Sequence, residues 1–271
     1  MDVAQCYAFL HTEPGPGFDL CFMLWTVLPN IFLPTPVTPI PPIVLSLFLL
    51  VASCAIGNIL AVPVALARIS PNPVLWMPAY GFILLMRGTP LLIQIYLIYY
   101  GLGQVFGDMT LFGKPLMRAV PFLREAIYYA IFALSLNTAG YTGEILRGAI
   151  LAVPHGEIEA GRAFGMSKWM ILRRITLPRA IRICLPAMST ETILLLKATA
   201  LASTITIYEV LGMAQFIRQQ SFRVYETFFG AALVYIVLVF VLTRILNWLE
   251  RYLNKDRERP VSVPLAQTAK P

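Results

Sequence analysis

The chain has 271 residues, 58% of them hydrophobic and only 13% charged, and its mean hydropathy is +0.72. Such a composition excludes an ordinary water-soluble domain and describes a polypeptide solvated largely by lipid. The net charge of +7 therefore reads as the Lys and Arg excess of a cytoplasmic membrane face, not as a nucleic-acid surface.

Residues 1–42 form an extracytoplasmic or interfacial N-terminal segment. No basic residue precedes Arg68, so no cleavable signal peptide with a positive n-region is predicted. The apolar stretch from Leu20 to Leu33 is interrupted by Pro29 and followed by Pro34, Pro36, Pro39, Pro41 and Pro42. It reads as interfacial or as a packed prelude to the spans. Cys6 and Cys21 would pair only in an oxidising compartment, and two free thiols are the alternative. The four cysteines form no C-x-x-C pair and there are two histidines, which argues against a metal or redox centre.

Five long apolar segments follow, at about 43–67, 74–103, 126–147, 186–208 and 228–249. Roughly 20 residues at 1.5 Å each cross a hydrocarbon core, so the predicted fold is an all-α integral membrane protein with five transmembrane helices in domain 43–249. In the second segment, Pro90 of R-G-T-P should kink the helix, and Gly88 allows close packing. With the N-terminus outside, fourteen Lys and Arg fall on the inner side against five outside, Lys114, Arg118, Arg124, Arg218 and Arg223. The asymmetry predicts an outer N-terminus and a cytoplasmic C-terminus. The tail, 250–271, is charged and then Pro-containing, and its end reads as cytoplasmic and disordered.

The same orientation puts the polar interruption at about 148–185 in the cytoplasm, where a soluble partner can reach it. Pro154 suits a helix start, with Glu157 and Glu159 in a first turn whose free N–H groups favour negative charge. Gly165 can close that helix in the left-handed conformation, and Ser167 can cap a second one ending at Pro178. Small Ala160, Gly161 and Ala163 would let another protein approach the first helix. Trp169, Leu172 and Ile175, with Lys168, Arg173 and Arg174, suit a second helix at headgroup level. A merely basic interfacial loop is the alternative.

Polar residues inside spans either pack against other protein groups or line a path. Asn137, Tyr141 and Glu144 share one face of the third span. Glu191, Lys197, Thr199 and Ser203 belong to the most polar stretch, in the fourth. Arg87 is placed to attract a substrate carboxylate or to pair with an acid on another helix. These eight are the candidate translocation path, with interhelical hydrogen bonding as the alternative reading. Glu191 and Lys197 are six apart and do not face each other on one helix.

Glu159, Ala160, Gly161, Gly165, nine residues, Ile175, Leu177 and Pro178 resemble the loop of ATP-binding-cassette importer permeases, E-A-A-x-x-x-G-x9-I-x-L-P. The spacing is intact over 20 positions, with Gly161 replacing the second alanine. The resemblance implies a coupling helix from Glu157 to Gly165 that sits in a groove of a separate ATPase subunit. RGTPLLIQIYLIYYG from Arg87 and LSLNTAGYTGEILRGAI from Leu134 are similar to the polar amino acid permeases, histidine, lysine-arginine-ornithine and opine types. Where relatives often read K-D-T-S-L, this chain has Lys197, Ala198, Thr199, Ala200 and Leu201, which puts in doubt any carried-over role for an acid at 198.

The resemblance implies a multi-pass subunit of a bacterial inner membrane that imports polar, chiefly basic, amino acids by alternating access. Opines or non-basic amino acids are the alternatives. It also implies two ATP-binding subunits, a periplasmic amino acid binding protein, and a second permease subunit, more often a different chain than an identical one. No G-x-x-x-x-G-K-[ST] phosphate loop occurs, so ATP and Mg belong to the partner and no cofactor to this chain. An intramembrane enzyme is disfavoured, because no H-E-x-x-H or G-x-S-x-G occurs and His11 and His155 lie outside the spans. A passive channel or scaffold would need no ATPase.

Overall fold

The structure, a computed structural model, describes residues 18–111, 114–115 and 120–254. Cys6 and the tail beyond residue 254 lie outside them. Cys21 is disulfide-bonded, and Cys54 and Cys184 are free thiols.

In chain order the helices are α1 (Leu20–Phe32), α2 (Pro42–Ile69), α3 (Pro73–Gly88), α4 (Leu91–Asp108), α5 (Ala126–Leu151), α6 (His155–Ala163), α7 (Lys168–Ile205), α8 (Val210–Ser221) and α9 (Val224–Asn254). Between α4 and α5 a two-residue antiparallel ladder joins Thr110–Leu111 to Lys114–Pro115, a small exception to the all-α expectation.

Helices α2, α7 and α9 are each long and apolar enough to cross a bilayer. Helices α3 and α4 pass the same test only jointly and meet at a bend of 109°. The segment at 74–103, expected as one kinked span, is thus two helices meeting at a sharp bend. Pro90 disfavours helical backbone at Thr89, which is extended, at φ −114° and ψ 146°, and Pro90 itself is extended at ψ 133°.

Helix α5 has 26 residues, ample length to span, but no stretch of it is as apolar as the most apolar stretches of the other three. Its Ala, Gly, Ser and Thr positions are largely buried, which suits a central helix, because helices in lipid associate through close backbone packing. At its contact with α2 a Cβ on Gly57 would lie 2.6 Å from the Thr138 side chain, so only glycine fits.

Helix α1 is packed into the bundle. Val27 and Ile31 are fully buried in a core shared with Leu134, Leu196, Met213 and Ala231. Its start is pinned by charge: Arg223 pairs with Asp19 and lies 3.7 Å from Glu226, while the Asp19 amide donates to Glu226 at 3.1 Å. A second buried node is Glu209 at the N-terminus of α8. Its carboxylate accepts hydrogen bonds from the Ser46 and Tyr235 hydroxyls (3.2 and 2.7 Å) and from the Leu211 and Gly212 amides. One side chain thereby ties α2, α8 and α9 together.

Candidate functional site

The break between α3 and α4 leaves main-chain carbonyls at the end of α3 without helical partners. Two polar side chains take them up. The Gln94 amide donates to the carbonyls of Met86 and Thr89 (2.9 and 3.1 Å) and to the Thr89 hydroxyl (2.8 Å). From α5, Asn137 donates to Met86 O (3.2 Å) and to Gln94 Oε1 (3.0 Å). The close approach of α3 to α5 needs Gly140, because a Cβ there would lie 2.5 Å from Met86 Cβ.

Beside this break lies a cavity of about 460 Å³ lined by residues of α3, α5 and α7, including Arg87, Thr89, Asn137, Tyr141, Glu191 and Ala198. The Arg87 guanidinium sits 5.4 Å from the Tyr141 ring centroid, a cation–π distance. Arg87 and Glu191 both face the cavity, yet among the described residues neither has an ion-pair partner within 4.0 Å. The site therefore offers one cation, one carboxylate and an aromatic face to a ligand between them.

Four of the eight path candidates, Arg87, Asn137, Tyr141 and Glu191, thus meet in one cavity. Asn137 both lines the space and bonds between helices. Glu144 instead pairs with Arg147 at 2.6 Å. Lys197, Thr199 and Ser203 do not line the cavity; the Thr199 and Ser203 hydroxyls donate to Leu196 O and Ala200 O. Gln94 escaped the sequence reading, although an amide within the apolar run LLIQIY was a signal for it.

The loop after α5 forms the expected helix and turn. Pro154 caps α6, with Glu157 in its first turn; Glu159 lies beyond that turn, in the second. Gly165 has φ +74° and Ser167 accepts from the Met170 amide. The second helix does not end at Pro178, as expected, but continues as α7. A π-helical turn at Leu172–Thr176 widens the ladder just before the proline, which accommodates its missing N–H and bulky ring.

The small-residue surface of α6 is also corrected. Gly161 is buried, and a Cβ there would lie 2.9 Å from Ile175 Cδ1. It packs α6 onto α7, whereas Glu159, Ala160 and Ala163 stay exposed and Phe164 is 87% exposed. Glu157 pairs with Arg179 at 3.1 Å.

Spanning helices around a broken-helix polar cavity, with a helix and turn set beside them, make a membrane permease subunit. The chain belongs to the family of binding-protein-dependent transport system inner membrane components, whose model matches residues 57–257. It is 47% identical over 213 residues to the octopine transport system permease protein OccM of Rhizobium radiobacter, covering 79% of this chain and 84% of that one. It is 40% identical to the histidine/lysine/arginine/ornithine transport system permease protein HisM of Salmonella typhimurium, over 77% and 87%. Among solved structures, an amino acid ABC transporter with histidines superposes with a TM-score of 0.66 at 31% identity, covering 78% and 91%. The MetNI methionine ABC transporter, at TM-score 0.62 and 20% identity over 77% and 93%, shares the fold.

Proposed function

We propose that this chain is one half of the membrane pathway of an ATP-driven importer for amino acids with a basic side chain or for opines. The observation that carries the reading is the cavity at the α3–α4 break, lined by the Arg87 cation and the Glu191 carboxylate, neither of which has an ion-pair partner within 4.0 Å among the described residues. Arg87 receives the substrate carboxylate, Glu191 its ammonium or basic side chain, and Tyr141 and Asn137 fix the walls. Charged side chains within spans are costly and so face the bundle interior or a water-filled path. The names of the relatives, HisM for basic amino acids and OccM for an opine, support the same substrate range.

In this reading α6 and the turn at Gly165 are the coupling element. Two separate ATP-binding subunits carry ATP and Mg, and one of them grips exposed Glu159, Ala160, Ala163 and Phe164 of this chain. A binding protein delivers substrate from the periplasm, and a second, different permease subunit completes the path. The chain crosses the bacterial inner membrane five times, with the α3–α4 pair and α5 each counted as one crossing, N-terminus outside and C-terminus in the cytoplasm. This chain catalyses no reaction of its own.

Co-purification tests the coupling element. Ala160→Arg, an exposed change that spares the α6–α7 packing, should release the ATP-binding subunit while the permease still inserts. Retention of that subunit with full ATP-driven uptake would remove α6 from the coupling role.

A further inference from the structure

Beside α6 lies a second pocket, of about 270 Å³, lined by Glu157, Arg174, Ile175, Pro178, Arg179 and Arg182. Three arginines and one carboxylate line it. That carboxylate is committed to Arg179, and among the described residues Arg174 and Arg182 have no acidic partner within ion-pair distance. The pocket's described lining carries three positive charges against one negative, an excess of two.

Its place on α7 indicates what neutralises it. Arg182 is followed directly by Ile183, Cys184 and Leu185 of the span, and Ile181 is 42% exposed beside it. On the other side Trp169 is 67% and Met170 40% exposed. Arg179 and Arg182 are one helical turn apart, roughly 4.5 Å along the axis, at the boundary where apolar surface gives way to charge. Basic pockets next to a span on the cytoplasmic side recruit anionic headgroups.

We propose that this pocket binds the phosphate of an anionic phospholipid, held by Arg174 and Arg182 and contesting Arg179 with Glu157. The inference rests on the orientation given above, which puts this end of α7 at the inner leaflet. Because Arg179 is shared, the bound lipid ties the membrane surface to the helix that meets the ATP-binding subunit.

The test uses the complete transporter with its ATP-binding subunits and partner permease, purified from vesicles of equal phosphatidylglycerol and phosphatidylcholine. Retained lipid is counted by native mass spectrometry. Wild type should retain phosphatidylglycerol preferentially, and R174Q/R182Q should lose that preference by roughly 10-fold. R244Q/R251Q, two basic residues of α9, should keep it. E157Q, which frees Arg179, should retain at least as much phosphatidylglycerol as wild type. Absence of preference in wild type, or its persistence in R174Q/R182Q, overturns the proposal. Loss of the ATP-binding subunit from R174Q/R182Q with lipid retention unchanged would overturn it in favour of a protein contact. ATP-driven uptake by the same wild-type preparation is read separately, so failure of the import reading is distinguishable from failure of lipid binding.

Discussion

Asn137 on α5 donates a hydrogen bond to the main-chain carbonyl of Met86 at the end of α3, at 3.2 Å, and holds Gln94 of α4 at 3.0 Å. One side chain thus closes the wound left by a broken helix and forms part of a cavity wall. Both partners are at least partly buried, so the bond has a measurable consequence.

Asn137→Leu should leave Met86 O with Gln94 alone and strip Gln94 Oε1 of its donor. A cost of about 1–3 kcal/mol is expected. It should appear as a lower denaturation midpoint of the detergent-solubilised protein, whereas Asn137→Asp, protonated, should restore part of the loss. A midpoint unchanged by Asn137→Leu would show that the break needs no cap from α5.

Gly140→Ala places a methyl group where Met86 Cβ lies 2.5 Å away. Overpacking of this kind costs about 1–3 kcal/mol. Met86→Ala leaves that Cβ in place, so the double variant should recover only the part of the strain borne by the rest of the Met86 side chain. A double-mutant cycle on thermal stability reads the coupling, and purely additive effects would place the clash in the backbone.

Glu209 is fully buried and accepts four hydrogen bonds. Glu209→Gln keeps an acceptor of the same shape and should fold with modest loss. Glu209→Leu strands the Ser46 and Tyr235 hydroxyls and uncaps α8, and should sharply reduce the yield of inserted protein. Tyr235→Phe, which removes one donor, should cost about 1 kcal/mol. Equal yields for the Gln and Leu variants would contradict the node.

Much of this was legible in the sequence, because local rules governed it. Gly165 at φ +74°, Ser167 as a cap and Pro154 at the start of α6 follow from the conformational limits of those residue types. The 109° break was underestimated as a kink, since the depth of a Pro90 bend depends on whether other helices supply donors for the freed carbonyls. Gln94 and Asn137, 43 residues apart, do so, and such pairing is a tertiary fact. Gly161 was assigned to the wrong face for a similar reason: a small residue signals close approach but does not say whose. Pro178 was read as a helix end, but a π-helical turn let α7 pass through it. The clusters at Asp19 and Glu209 join residues 204 and 163 positions apart, beyond any local pattern.

Uptake of radiolabelled arginine by the complete transporter in proteoliposomes, with binding protein outside and ATP inside, tests the cavity most directly. Arg87→Gln and Glu191→Gln are compared with wild type at matched ATP-binding-subunit content. Each substitution removes one charge-assisted contact to substrate, so ATP-driven uptake should fall by about 10-fold or more while the assembly stays intact. Wild-type uptake in both variants would contradict a substrate path between Arg87 and Glu191.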